Sequence, residues 1–166
     1  MMILSAAGSS IRGKCFMATT NQYGTHREGL DYLPRTGGYG ILTINGKIAC
    51  ARIGYGPYSY DFPGGATDPG ETPEQAVVRE FGEEVGLVVE VVRPITDLKH
   101  YIIHENGTPY NNHSHFFEMR LVGEDAALKI EADHELVWLD PMVVMTHLKH
   151  EGYAWPLALW LHDQSI

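Results

Sequence analysis

One segment of the chain has both ends marked and both faces defined. It reads TPEQAVVREFGEEVG over residues 72–86. Thr72 is a capping residue, Pro73 takes the first helical position, and Gln75 completes a capping box. Gly86 suits a left-handed stop. The pattern predicts a helix from Thr72 to Glu84. On a helical wheel, with Glu80 at zero, Glu84 falls near ~40° and Glu83 near ~300°. The three carboxylates therefore share one face. Val77, Val78, Phe81 and Val85 centre on another face, roughly 120° away. A short amphipathic helix with a polar face of a single sign needs a sheet to cover its apolar side and a reason for its charge.

The flanking sequence supplies the sheet. Tyr39, Ile41 and Thr43 alternate with Gly40, Leu42 and Ile44, and Asn45-Gly46 follows. That pair is a type I′ hairpin signal, because both central residues take positive φ. KIACARI, residues 47–53, is the return strand, and DFPGG, 61–65, is a strand end and a turn. Further strands are LVVEVV (87–92), HYIIH (100–104), HSHFFEMRLV (113–122) and HELVWL (134–139), with a polar loop from Glu105 to Asn112. Pro141 opens a short helix through Leu148, and Ala154 to His162 forms another. Residues 1–36 show few periodic apolar positions and read as an N-terminal extension with at most one short strand, ahead of a domain over 37–166. Strands outnumber helices in mixed order, which predicts an α+β fold with a mixed sheet clasped by helices.

Glu80 and Glu84 are a like-charge i,i+4 pair, which costs a few tenths of a kcal/mol unless something positive lies between them. A glutamate-rich helix face is by itself most often solvated surface. A hard divalent cation is the other explanation: Mg²⁺ and Mn²⁺ prefer oxygen ligands, and Mg²⁺ sites keep positions open for substrate phosphates.

A resemblance carried by the surrounding residues bears on the choice. GATDPGETPEQAVVREFGEEVGL, residues 65–87, resembles the signature box of the Nudix hydrolases, MutT-like members included. Gly65, Glu71, Arg79, Glu80, Glu83, Glu84, Gly86 and Leu87 fall at the family positions, and Phe81 stands where an aliphatic residue is usual. The resemblance implies a Nudix-type α-β-α sandwich around a mixed sheet. It implies that Glu80, Glu83 and Glu84 bind Mg²⁺ or Mn²⁺, with the carbonyl of Gly64 as a backbone ligand. It implies that Glu71 and Arg79 tie the loop to the helix. Ions bridging a diphosphate would polarise phosphorus and lower the pKa of a bound water. The general base is then Glu80 or Glu83, or a glutamate from a later loop, for which Glu131 is preferred over Glu135. Glu118 lies in a strand and reads as solvent-facing. Gly82 occupies a variable position of the box with no evident reason.

The expected activity is metal-dependent hydrolysis of a phosphoanhydride in a nucleoside diphosphate-linked substrate. A nucleoside triphosphate, oxidised or not, is the first choice. Dinucleoside polyphosphates and nucleotide sugars are alternatives, as is a non-catalytic domain binding a nucleotide or a protein. Arg52, Tyr58 and Tyr60 are candidate substrate-binding residues, since aromatic rings, Tyr55 among them, stack on bases.

A net charge of -9 argues against polymeric nucleic acid as a partner. No apolar run approaches a membrane span. The opening MMILSAAGSS lacks a basic leader and reads as no signal peptide. Cys15 and Cys50 form no disulfide framework, so a cytoplasmic location is expected. His113 and His115 share a strand face, which suits zinc but more often means surface or substrate-lining residues. Tyr23 and the segment YAWPLALWL, 153–161, are expected to pack the core or a homodimer interface.

Overall fold

The computed structural model describes residues 20–165. The opening segment and Cys15 lie outside them. In chain order the elements are β1 (Asn21–Tyr23), β2 (Leu33–Ile44), β3 (Lys47–Ile53), β4 (Tyr60–Asp61), β5 (Gly64–Ala66), α1 (Pro73–Val85), β6 (Leu87–Ile103), β7 (Pro109–Glu124), β8 (His134–Leu139) and α2 (Pro141–His147). A short 3-10 turn at Glu151–Tyr153 then leads into α3 (Ala154–Gln164).

The sheet runs β1-β6-β7-β2-β3-β4, with β5 on β2 and β8 on β3. It is mixed: β1 pairs parallel with β6 and β2 with β7, and the other pairs are antiparallel. Asn45 and Gly46 take φ of 51° and 75° between β2 and β3, as a type I′ turn requires.

Alternation along the strands builds two cores. Ile41, Ile48, Cys50 and Phe116 face α2 and α3, together with Val144, Leu157 and Trp160. Their neighbours Leu42, Ala49, Ala51 and Phe117 face α1 and meet Val77, Phe81 and Val85. Helices on both faces of one mixed sheet make the α-β-α sandwich. The apolar side of α3 and Tyr23 both pack into the first core.

Three sequence expectations need correction. First, LVVEVV and HYIIH are one strand, β6, rather than two. Pro94 sits inside it at register shifts between Val91 and Arg93 and between Pro94 and Thr96. A bulge leaves the missing N–H of proline without a ladder partner to lose, so the strand continues. Second, β2 begins at Leu33 and β7 at Pro109, so parallel pairing of these two strands orders residues read as extension and as loop. Third, Val78 is 38% exposed. The buried side of α1 includes Glu80 and Glu84 instead.

The candidate metal centre and active site

Helix α1 is held at both ends as its sequence predicts. Thr72 Oγ1 accepts the Gln75 N–H, Gln75 Oε1 accepts the Thr72 N–H, and Gly86 caps the end at φ 71°. Its seat on the sheet depends on glycines. A Cβ at Gly38 would stand 2.0 Å from the Pro73 carbonyl oxygen, and one at Gly40 would stand 2.4 Å from the Phe81 ring. The aromatic residue of the box is therefore accommodated by a glycine beneath it. Gly82 also gains a reason. It is buried, and a Cβ there would come 3.3 Å from Leu128, in the loop that wraps the end of the helix.

That loop brings in the distant carboxylate. The Glu83 carbonyl accepts the N–H groups of both Ile130 (3.0 Å) and Glu131 (3.1 Å). Side-chain oxygens of Glu80, Glu83 and Glu131 consequently lie within 4.8 Å of one another. Ligand atoms of Glu84, Glu131 and His134 form a second such group. His134 stands among three acids, with Nε2 3.2 Å from Glu84 and Nδ1 3.0 Å from Glu131 and 3.1 Å from Asp133. Glu84 also accepts the Gly64 N–H at 3.0 Å. The backbone of Gly64 thus reaches the site.

Arg79 organises the other side. Its Nε and one terminal nitrogen grip Glu71 bidentately at 3.0 and 2.9 Å. The second terminal nitrogen donates to both Glu80 and Glu83 at 2.8 Å. The Ala66 carbonyl takes a further bond. Glu71 also accepts the Asp68 N–H, which closes the loop before the helix. The Glu71 carboxyl is held below its usual range by the Arg79 guanidinium.

The electrostatics suit a cation among these acids. Burial pushes Glu80 up to about 7 even with Arg79 attached, and burial also raises Glu84. Asp61 is pushed up to about 8, by burial and then by the Glu84 charge. His134 is raised to about 9, chiefly by its hydrogen bond to Glu84. Acids packed so closely resist ionisation together, and an oxygen-preferring divalent ion is the group that relieves them. The residues present therefore fit a divalent cation, which Glu80, Glu83, Glu84 and Glu131 would hold.

Arg79→Ala tests the arginine's part. The expected cost is roughly 1–3 kcal/mol, because charge-assisted bonds to half-buried partners are lost. Thermal denaturation reads it, and saturating Mg²⁺ should recover part of the loss by taking over Glu80 and Glu83. A loss that Mg²⁺ leaves untouched would mean these acids do not share a cation.

The site opens on a cleft of about 520 Å³ whose lining includes Glu80, Glu84, Glu131 and Asp68 and also Arg35, Lys149 and His150. Asp61 and Tyr39 also line it. Sequence reasoning missed Asp61, His134, Arg35, Lys149 and His150. Only Asp61, next to the Pro63-Gly64-Gly65 turn, carried a signal that spacing could have used.

Other candidates lie elsewhere. Arg52 pairs with Glu135 beside a smaller hollow, and Tyr55 beneath it is 96% exposed. Tyr60 lies in β4 against the first core, and Tyr58 is exposed. Neither tyrosine lines the cleft: in β4 it is Asp61 that does so, while its neighbour Tyr60 packs against the first core. Glu135 is likewise removed from the carboxylate cluster, and Glu118 is held by Arg93 at 2.7 Å. The rings of His113 and His115 lie 4.3 Å apart, tilted by 38°, and His113 binds Asp97, but neither belongs to a metal-capable trio among the described residues.

Known proteins of the same build agree. A family model described as the NUDIX domain matches residues 34–161. An RNA pyrophosphohydrolase of Photobacterium profundum is 43% identical over 75 residues, 45% of this chain and 42% of that protein. One from Pseudoalteromonas translucida is 46% identical over 65 residues, 38% of this chain and 37% of that protein. The chain thus spans about two fifths of the length of the curated relatives it matches. Among solved structures, a Nudix hydrolase from Nitrosomonas europaea shares the fold at TM-score 0.63 and 16% identity, over 79% of this chain and 90% of that one. A MutT Nudix hydrolase from Burkholderia pseudomallei aligns at TM-score 0.57 and 26% identity, over 76% of this chain and 98% of that one. With the family model covering most of its length and the signature residues Glu80 and Glu84 lining one cleft, the chain belongs to the Nudix hydrolase family.

Proposed function

We propose that the protein hydrolyses a phosphoanhydride bond in a nucleoside diphosphate-linked substrate, a nucleoside 5′-triphosphate in the first instance, with Mg²⁺ or Mn²⁺. The carrying observation is that side-chain oxygens of Glu80, Glu83 and Glu131 lie within 4.8 Å of one another beside a cleft, lined by Glu80 and Glu131, that is large enough for a nucleotide. A divalent cation there would supply Lewis acidity at the anhydride phosphates. Glu80, Glu83 and Glu84, with the backbone of Gly64, are its ligands in this reading. Glu131, Glu83 or Glu80 accepts a proton from the attacking water. Glu71 and Arg79 keep the loop and the helix in register. The cytoplasm is the compartment we assign to this activity.

A second reading takes RNA as the carrier of the phosphates. The names of the curated relatives favour it. A net charge of -9 does not, because polymer binding draws on an extended basic surface.

The deciding experiment is a release assay over a panel of nucleoside triphosphates, dinucleoside polyphosphates, nucleotide sugars and 5′-triphosphorylated RNA. Orthophosphate and pyrophosphate are scored separately, with and without a chelator. Metal-dependent turnover of a triphosphate is expected. No turnover of any member, with Mg²⁺ and Mn²⁺ both tried, would make the protein a binding module.

A further inference from the structure

Besides the carboxylates, the cleft lining holds a group of basic residues, a cationic wall that a metal does not explain. Arg35 projects from the first residues of β2, and Lys149 and His150 follow α2. All three line the same cleft as Glu80, Glu84 and Glu131. The charges of Arg35 and Lys149 are largely uncommitted. Among the described residues Arg35 makes no ion pair, and its guanidinium lies 5.8 Å from the Tyr110 ring centroid. The one ion pair of Lys149 is loose, 3.7 Å to Glu105, whose side chain is 86% exposed. Arg79, which also lines the cleft, has every nitrogen engaged. Cations left open towards a cleft, in a protein of net charge -9, point to an anionic part of the ligand.

The backbone beneath these cations is fixed. The Lys149 N–H donates to the Tyr60 carbonyl at 2.8 Å, and Leu148 bridges to Tyr60. Arg35 sits in register with Asn112 in the parallel β2–β7 ladder. His150, which burial pushes down to about 4, adds a neutral imidazole, with Nε2 4.0 Å from Asp61. The wall is therefore built on the sheet and its anchored connection.

We propose that Arg35 and Lys149, with His150, bind the terminal phosphate of a 5′-triphosphate and so select this end over a diphosphate closed by a neutral sugar. The proposal rests on the hydrolase reading above and names the residues that set its specificity. The charges match. A terminal phosphate carries about −1.5 to −2 near neutral pH and offers three acceptor oxygens. A bidentate guanidinium and an ammonium together neutralise it. The hydroxyls of a sugar would leave both cations without a counter-charge.

Arg35→Gln and Lys149→Gln test this, since both side chains are partly solvent-exposed and the backbone contacts do not involve them. Each is expected to raise KM for ATP and GTP about tenfold, with kcat changed much less, because a lost charge-assisted contact is worth about a factor of ten in affinity or more. Calorimetric affinity for inorganic tripolyphosphate with Mg²⁺ should fall by a similar factor. Arg35→Lys should restore part of both. Unaltered KM and tripolyphosphate affinity in both variants would overturn the proposal. So would an equal weakening of ADP-ribose binding, which would make these cations general phosphate ligands. If the wild-type protein turned over no nucleotide at all, the hydrolase reading would fall, and the tripolyphosphate titration would still decide whether the wall binds a phosphate end.

Discussion

Glu83→Gln and Glu84→Gln are each expected to lower nucleotide hydrolysis about 100- to 10,000-fold, the range that follows loss of a positioned acid–base group or a comparable charge. The amide keeps the size of the carboxylate and one acceptor oxygen but removes the charge. The two variants should differ in how they reach the loss. Glu84 is 6% exposed and lies between His134 and the Gly64 N–H, so its neutralisation leaves a raised histidine without its main partner. Glu83 shares the Arg79 nitrogen that also binds Glu80, while its carbonyl pins the loop of Glu131. Glu83→Gln keeps that carbonyl and should leave the loop in place. Steady-state kinetics at saturating Mg²⁺ read the loss. The rise in melting temperature on adding Mg²⁺, present if the native state binds the ion, should shrink in both. Either variant hydrolysing at the wild-type rate would refute the assigned roles.

The chemistry of this site was legible where it was local. Thr72, Gln75 and Gly86 specify a helix through contacts within a few residues, so its ends could be read before any packing was known. Glu71 and Arg79 stand eight apart, one in the loop and one on the helix, and their pairing followed from the family spacing. What lay further off was not legible. Glu84 meets His134 across the α1–β8 contact, and nothing in either local pattern announces the pair. The cationic wall joins the first residues of β2 to the segment after α2, and these come together only when β7 pairs with β2 and Tyr60 holds Lys149. The hydrophobic wheel misassigned Val78 because it treated the carboxylate face as the solvent face. Burying acids around Arg79 and His134 breaks the rule that polar means outward.

Gly38→Ala carries the second large effect, on the fold. The added Cβ would stand 2.0 Å from the carbonyl oxygen of Pro73 and 2.9 Å from its carbonyl carbon. These are backbone atoms at the first residue of α1, so no rotamer change relieves the overlap. Overpacking of a core usually costs about 1–3 kcal/mol. Here the helix itself must move off β2, and a cost of about 3 kcal/mol or more is expected. For a chain of this size that is a fall in melting temperature of roughly 6–12 °C. Gly123→Ala in β7 is the control. A Cβ there meets nothing within 4 Å, so its stability should stay within about 0.5 kcal/mol of wild type. The comparison reaches the site as well as the fold. Gly38 pairs with Gly65, whose own Cβ would stand 2.5 Å from Glu80 Oε1. A helix displaced from Gly38 therefore carries Glu80 away from the loop that faces it. Gly38→Ala should weaken the Mg²⁺-dependent rise in melting temperature beyond its own destabilisation, whereas Gly123→Ala should leave that rise intact. Equal melting temperatures for the two variants would show that α1 does not depend on the bare backbone of β2 for its seat.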